Sequence, residues 1–181
     1  MNNIQVAYMD LKELIKKQDK LELDDTTEEE EERLSEGTII QLVSFVLEDV
    51  EYGVDILLVH EILRYPEITR LPNAPDFIKG VINLRGNVIP VVDVRKRFGF
   101  PKGKITDLTR IIVIETSDKL VGLMVDNVHQ VVRISQNNVD PPSELIEGVS
   151  ELYIYGIGRL RDRLIVILNL SNILFLEEDQ E

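Results

Sequence analysis

The stretch GVINLRGNVIPVVDVRKRF (residues 80–98) decides the fold, because it is written twice. Shifted by 76 residues it lies over GIGRLRDRLIVILNLSNIL (156–174), where Leu84-Arg85 meets Leu160-Arg161 and Asp93 meets Asn169. An earlier stretch behaves alike. QLVSFVLEDVEYGVDILLVH (41–60) lies over RIIVIETSDKLVGLMVDNVH (110–129) at an ungapped shift of 69. There Gly53 meets Gly122, Asp49 meets Asp118, and Val59-His60 meets Val128-His129. The difference between the two shifts falls in the connection SQNNVDPPSELIEGVSEL (135–152). Two matches in the same order argue for a duplicated unit. Each copy reads strand, strand, helical turn, extended segment, hairpin, helical turn. Strands this short and dense suggest a small barrel, since closure removes exposed edges. One such unit buries little apolar area alone, so a hydrophobic interface between the two is expected. The fold class expected is all-β, mainly strands with short helices: two small barrels packed together, plus an N-terminal helix.

Composition narrows the class. The chain has 181 residues, 44% hydrophobic and 6% aromatic, enough for one domain or two small packed ones. It has no apolar run of membrane-spanning length. Its start, MNNIQVAYMDLKEL, lacks a basic region followed by an apolar stretch, so no secretory leader is expected. Cysteine is absent, which excludes disulfides, thiolate metal sites and cysteine nucleophiles and fits a reducing compartment. A net charge of −13 repels nucleic acid and anionic lipid as a whole, so neither nucleic-acid binding nor membrane insertion is expected.

The charge is uneven. Residues 1–36 carry twelve Asp/Glu against five Lys/Arg, net −7, which leaves −6 for the rest. Within them Ala7, Tyr8, Leu11, Leu14 and Ile15 fall at helical spacing and predict a short amphipathic helix over 4–23. The run DDTTEEEEERLSEG (24–37) cannot bury itself and reads as a solvated linker or a helix start. Residues 1–37 are therefore expected to be an acidic extension, and 38–181 the body, with two duplicated barrel subdomains of intertwined boundaries. In the body, IIQLVSFVLED and YGVDI read as strands, and LLVHEIL (57–63) as one or two helical turns. YPEITRLP reads as extended, up to the corner Pro72-Asn73-Ala74-Pro75. The hairpin turn is expected at Gly86-Asn87, and a helical turn over DVRKRF ends at Gly99. Asp93 and Asp126 each follow a strand and are read as caps of helical turns.

Groups that could do catalysis are few. His60 and His129 occupy equivalent places in the two copies, which favours a structural or surface role. Two distant histidines cannot make a zinc site, and no EF-hand spacing occurs. There is no GxxxxGK[ST] loop, no dinucleotide fingerprint at Gly156-Ile157-Gly158, and no GxSxG elbow. The reading is non-enzymatic, with no metal and no cofactor. What remains is binding. Candidate surface features are Glu61, next to Val59 on the helical turn after the second strand, and Arg85 at the hairpin corner, which could grip a carboxylate bidentately or merely flank a turn.

Beyond these, EYGVDILLVHEI and ITRLPNAPDFIKGVINLRGNVIPVVDVRKRF resemble the CheW-like domain of the chemotaxis coupling proteins. GLMVDNVHQVV and DRLIVILNLSNIL match its second half, so the resemblance covers about residues 41–176. It implies two SH3-like five-stranded barrels, in agreement with the repeat. It implies a non-enzymatic cytoplasmic adaptor at receptor arrays, bridging chemoreceptor cytoplasmic tips to the regulatory domain of the histidine kinase CheA. Other CheW-like domains in rings are further partners. The receptor-facing residues carried over are Val59, Glu61, Asn83, Arg85 and Gly86; kinase and ring contacts carry over to Ile111, Glu144 and Leu145. Asp140 and Leu145 depart from the pattern, where members often place a basic residue and an aromatic. Alternatives are a small-molecule-binding or enzymatic barrel with a site between subdomains, and a coupler in a non-motility pathway.

Overall fold

A computed structural model describes residues 37–116, 119–142 and 148–174. The N-terminal helix and acidic linker expected from the sequence lie outside them. The body begins with β1 (Ile39–Leu47), β2 (Val50–Asp55), a 3-10 turn (Ile56–Leu58) and β3 (Val59–Arg64). The hairpin β4 (Ile78–Leu84) and β5 (Asn87–Asp93) follows, then α1 (Val94–Arg97). The second copy supplies β6 (Arg110–Thr116), β7 (Lys119–Val125), β8 (Asn127–Ser135) and the short β9 (Val139–Asp140). It ends with β10 (Ile154–Leu160), β11 (Arg163–Leu168) and α2 (Leu170–Leu174).

The strands form two sheets, one ordered β8-β1-β2-β11-β10-β9 and the other β3-β6-β7-β5-β4. Neither sheet is one copy of the repeat. Each takes two strands from one copy and the remainder from the other. Parallel rows join them: Val91 of β5 pairs with Gly122 of β7, and Ile167 of β11 with Gly53 of β2. These two pairs are equivalent under the sequence shifts, so the map that exchanges the copies also exchanges the sheets.

Each sheet closes on itself at an equivalent point. Past β3, Thr69 makes an isolated bridge to Val81 of β4, with hydrogen bonds of 2.9 and 2.8 Å. Past β8, β9 pairs with Ile157 and Gly158 of β10. Both closures sit beside a bulge carrying glycine, Gly80 in β4 and Gly156 in β10. A side chain at Gly80 (φ 151°) would put Cβ 2.3 Å from the Thr69 carbonyl oxygen; at Gly156 it would lie 2.7 Å from that of Asp140. The closing segment crosses too near for any side chain there.

Strand alternation then builds three apolar layers. In β6, Ile111 and Val113 fill the interior of the first barrel with Ile82, Leu84, Ile89 and Val91. Ile112 and Ile114 point the other way, into a core shared by both sheets. In the second barrel Ile165 and Ile167 point inward with Leu42 and Val132, while Val166 and Leu168 join the shared core. Because both faces of these strands are buried, they read as unbroken apolar runs. The shared layer also carries an aromatic chain, Phe45–Tyr52–Phe98–Tyr153, with ring centroids 5.9, 5.6 and 5.6 Å apart.

The basic run after β5 ties the two barrels together. Asp93 caps α1 as expected, accepting from the Lys96 N–H at 3.3 Å, and Asn169 does the same for α2 from Asn172 at 3.4 Å. Arg97 donates to the Ile173 carbonyl at 3.1 Å and lies 4.2 Å over the Phe77 ring. Arg95 donates through Nε to both Asp126 oxygens at 2.7 and 2.9 Å and also pairs with Glu48. Asp126 is therefore not a helix cap. β7 runs into β8 with only Asp126 between them, which leaves no room for a helical turn, and its carboxylate holds Arg95 instead.

The expected helix at LLVHEIL is also corrected. Only Ile56–Leu58 turn, with the Asp55 carboxylate accepting from Leu57 N–H at 2.9 Å. From Val59 on the chain is strand, because β3 pairs along β6 from Val59↔Ile114 to Arg64↔Arg110. Tertiary pairing overrides the mild helix preference of Leu, His and Glu.

Candidate functional site

The β4–β5 corner is a two-residue turn, since Leu84 pairs directly with Asn87. Its central residues are Arg85 (φ 52°) and Gly86 (φ 89°), not Gly86-Asn87 as the sequence suggested. Such turns need left-handed backbone at both positions and usually take Asn-Gly or Asp-Gly. Arginine in this conformation costs roughly 1 kcal/mol of local strain. Asn83 offsets part of it: its Oδ1 accepts from the Gly86 N–H at 2.9 Å and locks the corner. Asn83 thus acts on the turn as well as on the surface.

Glu61 of β3 faces this corner. The bulge between Val59 and Glu61 sets its phase, so that Glu61 shares a face with Leu63, which lines the first barrel. The residue is 1% exposed, and neither carboxylate oxygen has a hydrogen-bond partner. The nearest cation is Arg85 Nη2 at 3.6 Å, beyond hydrogen-bond length. Arg85 is exposed, so the pair is screened and adds little to stability. What it leaves is a desolvated carboxylate with unused acceptor capacity beside an exposed guanidinium, open to a partner that brings both a donor and an acceptor.

Four of the five residues expected to face a receptor therefore come together: Asn83, Arg85 and Gly86 at the corner, Glu61 against it. Val59 does not join them. It lies across the bulge and packs against the shared core. Three residues that the sequence reading did not assign to binding belong to the site. Val88 pairs directly with Asn83 and is 69% exposed, an apolar side chain on the outer face. His60, on the bulge, places Nδ1 3.5 Å from a Glu115 oxygen and Nε2 3.8 Å from Glu61 Oε1. Val88 was legible as an apolar residue in a hairpin whose alternation turns it outward; His60 and Glu115 meet only through the β3–β6 pairing.

The other expected contacts fare differently. Ile111 is fully buried inside the first barrel, so its side chain cannot touch a partner; strand alternation points it inward. Glu144 and Leu145 lie outside the described residues. Asp140 is bound by Arg159, Oδ1 accepting from Nη2 at 3.2 Å, so the basic side chain of this region stands on the neighbouring strand. The space between the two sheets is filled by apolar side chains. Among the described residues no three His, Cys, Asp or Glu side chains group as metal ligands, and no helix is long and apolar enough to cross a membrane.

Comparison with known proteins gives one consistent match. The family model for the CheW-like domain matches residues 41–178, a span that includes both barrels. The chemotaxis protein CheW of Helicobacter pylori is 35% identical over 91% of this chain and 95% of its own length. That span is more than residues 37–181 supply, so the match runs back into the acidic N-terminal segment. The chemotaxis protein CheW of Klebsiella aerogenes is 36% identical over 76% of this chain and 83% of its own. The crystal structure of the scaffolding protein TtCheW from Thermoanaerobacter tengcongensis superposes with a TM-score of 0.73 at 37% identity. It covers 77% of this chain and 95% of that one.

Proposed function

The chain belongs to the CheW-like domain family, and from that premise we propose that it couples chemoreceptors to the kinase CheA. It is a chemotaxis scaffold, and its work is binding rather than catalysis. The receptor's cytoplasmic tip, a helical hairpin, docks on the first barrel along β3 and the β4–β5 corner. Arg85 grips a carboxylate of the docked helix, Glu61 takes a donor from it, and Val88 covers apolar surface beside them. The regulatory domain of CheA binds elsewhere on the body, with Glu144 and Leu145 among its contacts or those of neighbouring ring members. The complex assembles on the cytoplasmic side of receptor arrays. The observation that carries this reading is Glu61: a carboxylate buried in the first barrel with no hydrogen bond of its own, 3.6 Å from an exposed arginine. Native proteins rarely leave such a group unmatched without a use for it.

Co-sedimentation with a receptor tip and with the CheA regulatory domain tests the proposal. Binding of both, each weakened by a different set of surface changes, is the expected result. Failure to bind either one refutes it.

A further inference from the structure

A second polar site lies away from this corner. Beside the start of β4 is a pocket of about 220 Å³, lined by Arg70, Lys79, Lys96 and Lys102 with Asp76 as its one carboxylate. Four cations against one anion give a local charge of +3 in a chain of net charge −13. Among the described residues none of the four cations takes part in an ion pair. The frame around them is fixed. Lys96 Nζ donates to the Asp76 carbonyl at 3.1 Å, Ile78 N–H to the Pro75 carbonyl at 2.9 Å, and Asp93 N–H to the Phe77 carbonyl at 2.8 Å. Like charges held together this way favour an anionic occupant.

We propose that this pocket is a docking site for an acidic peptide segment, and that its occupant is this chain's own residues 177–181. That segment, EEDQE, carries four acidic side chains, as many as the pocket has cations. Its point of departure is close. The last residues of α2 are tied to α1 by the bond from Arg97 Nε to the Ile173 carbonyl, at 3.1 Å. The same guanidinium lies 4.2 Å over the ring of Phe77, whose sequence neighbours Asp76 and Ile78 line the pocket. One guanidinium and one ring therefore separate the end of α2 from the site. The four residues 175–178 can span at most about 13 Å. The other acidic run, residues 28–32, precedes Gly37 in sequence, and Gly37 stands against Ser135 and Asn137, at the end of β8 in the other sheet.

Zero-length carbodiimide cross-linking of the full chain, read by mass spectrometry, tests this. The expected products join a carboxylate of residues 177–181 to the amine of Lys79, Lys96 or Lys102. A mixture of isotope-labelled and unlabelled chains should show them forming within one chain. Their yield should fall at least about threefold at 1 M salt, where the Debye length is about 3 Å. The substitution Arg70→Gln, at an exposed side chain that carbodiimide does not couple, should lower the yield, and Arg70→Lys should restore it. Links from these lysines to residues 28–32, links between two chains, or a yield indifferent to salt and to Arg70→Gln would each overturn the proposal.

Discussion

The two barrels turn their hairpin corners with the same backbone and different surroundings. Arg85 and Arg161 hold φ at 52° and 50°, Val88 and its equivalent Leu164 are both exposed, and Asp93 and Asn169 both cap the helix that follows. Yet Glu61, buried against Arg85, corresponds to Gln130; Asn83, which locks the first corner, corresponds to Arg159, which pairs with Asp140. Gly86 corresponds to Asp162. The strained arginine is thus a property of the repeat and by itself argues for nothing. The buried carboxylate and the asparagine lock belong to the first barrel alone, and they make its corner a candidate for recognition.

The comparison is broken most severely at the closures. Gly80→Ala should destabilise by about 3 kcal/mol or more, since Cβ would strike a backbone oxygen at 2.3 Å in a left-handed conformation. Gly156→Ala, with its nearest contacts at 2.7 Å, should cost less; denaturant midpoints of the two variants rank them. Equal losses would mean that the two barrels close alike.

Tyr52 has no counterpart in the second copy, where Val121 stands. Its hydroxyl is buried without a partner, and burial pushes its pKa up to about 12. The folded value lies above the ordinary 10, so the stability tied to the neutral phenol is complete below pH 10 and lost as pH rises toward 12. The difference between the two values corresponds to about 2–3 kcal/mol. Tyr52→Phe should flatten that alkaline decline in denaturation curves and leave neutral stability unchanged or slightly raised.

At the corners, Arg85→Ala should weaken receptor-tip binding by about 1–2 kcal/mol, while Arg161→Ala leaves it unchanged in the same titration. Equal effects would return Arg85 to the role of a turn residue. Because Arg85→Ala also strips a buried carboxylate of its nearest cation, a thermal melt must accompany it. Glu61→Gln is the cleaner change, for the repeat already accommodates glutamine at this place. We expect it to fold normally, with a melting temperature within a few degrees, and to lose about 1 kcal/mol of receptor binding by calorimetry.

The duplication, the density of short strands and the need for a shared core could all be read from apolar periodicity and the two sequence shifts. So could the cap at Asp93. The strand exchange could not, because alternation says which face of a strand is buried and nothing about which strand lies beside it. The burial of Glu61 was hidden by the same limit. Taken as a helical turn, 57–63 leaves Glu61 at the surface; paired with β6, it sinks into the barrel mouth. Asp126 needed the position of Arg95, thirty-one residues away in sequence, before its role could be seen.

The exchange of strands has a mechanical meaning. No cut in the linker between the copies releases a self-contained barrel, because β6 and β7 complete the first sheet, while β1 and β2 belong to the second. The molecule is put together as a symmetric pair of subunits would be after trading arms, with both subunits written on one chain. A force applied by a partner on one barrel reaches the other as shear along the β5–β7 and β2–β11 rows, where no linker stands in between to absorb it.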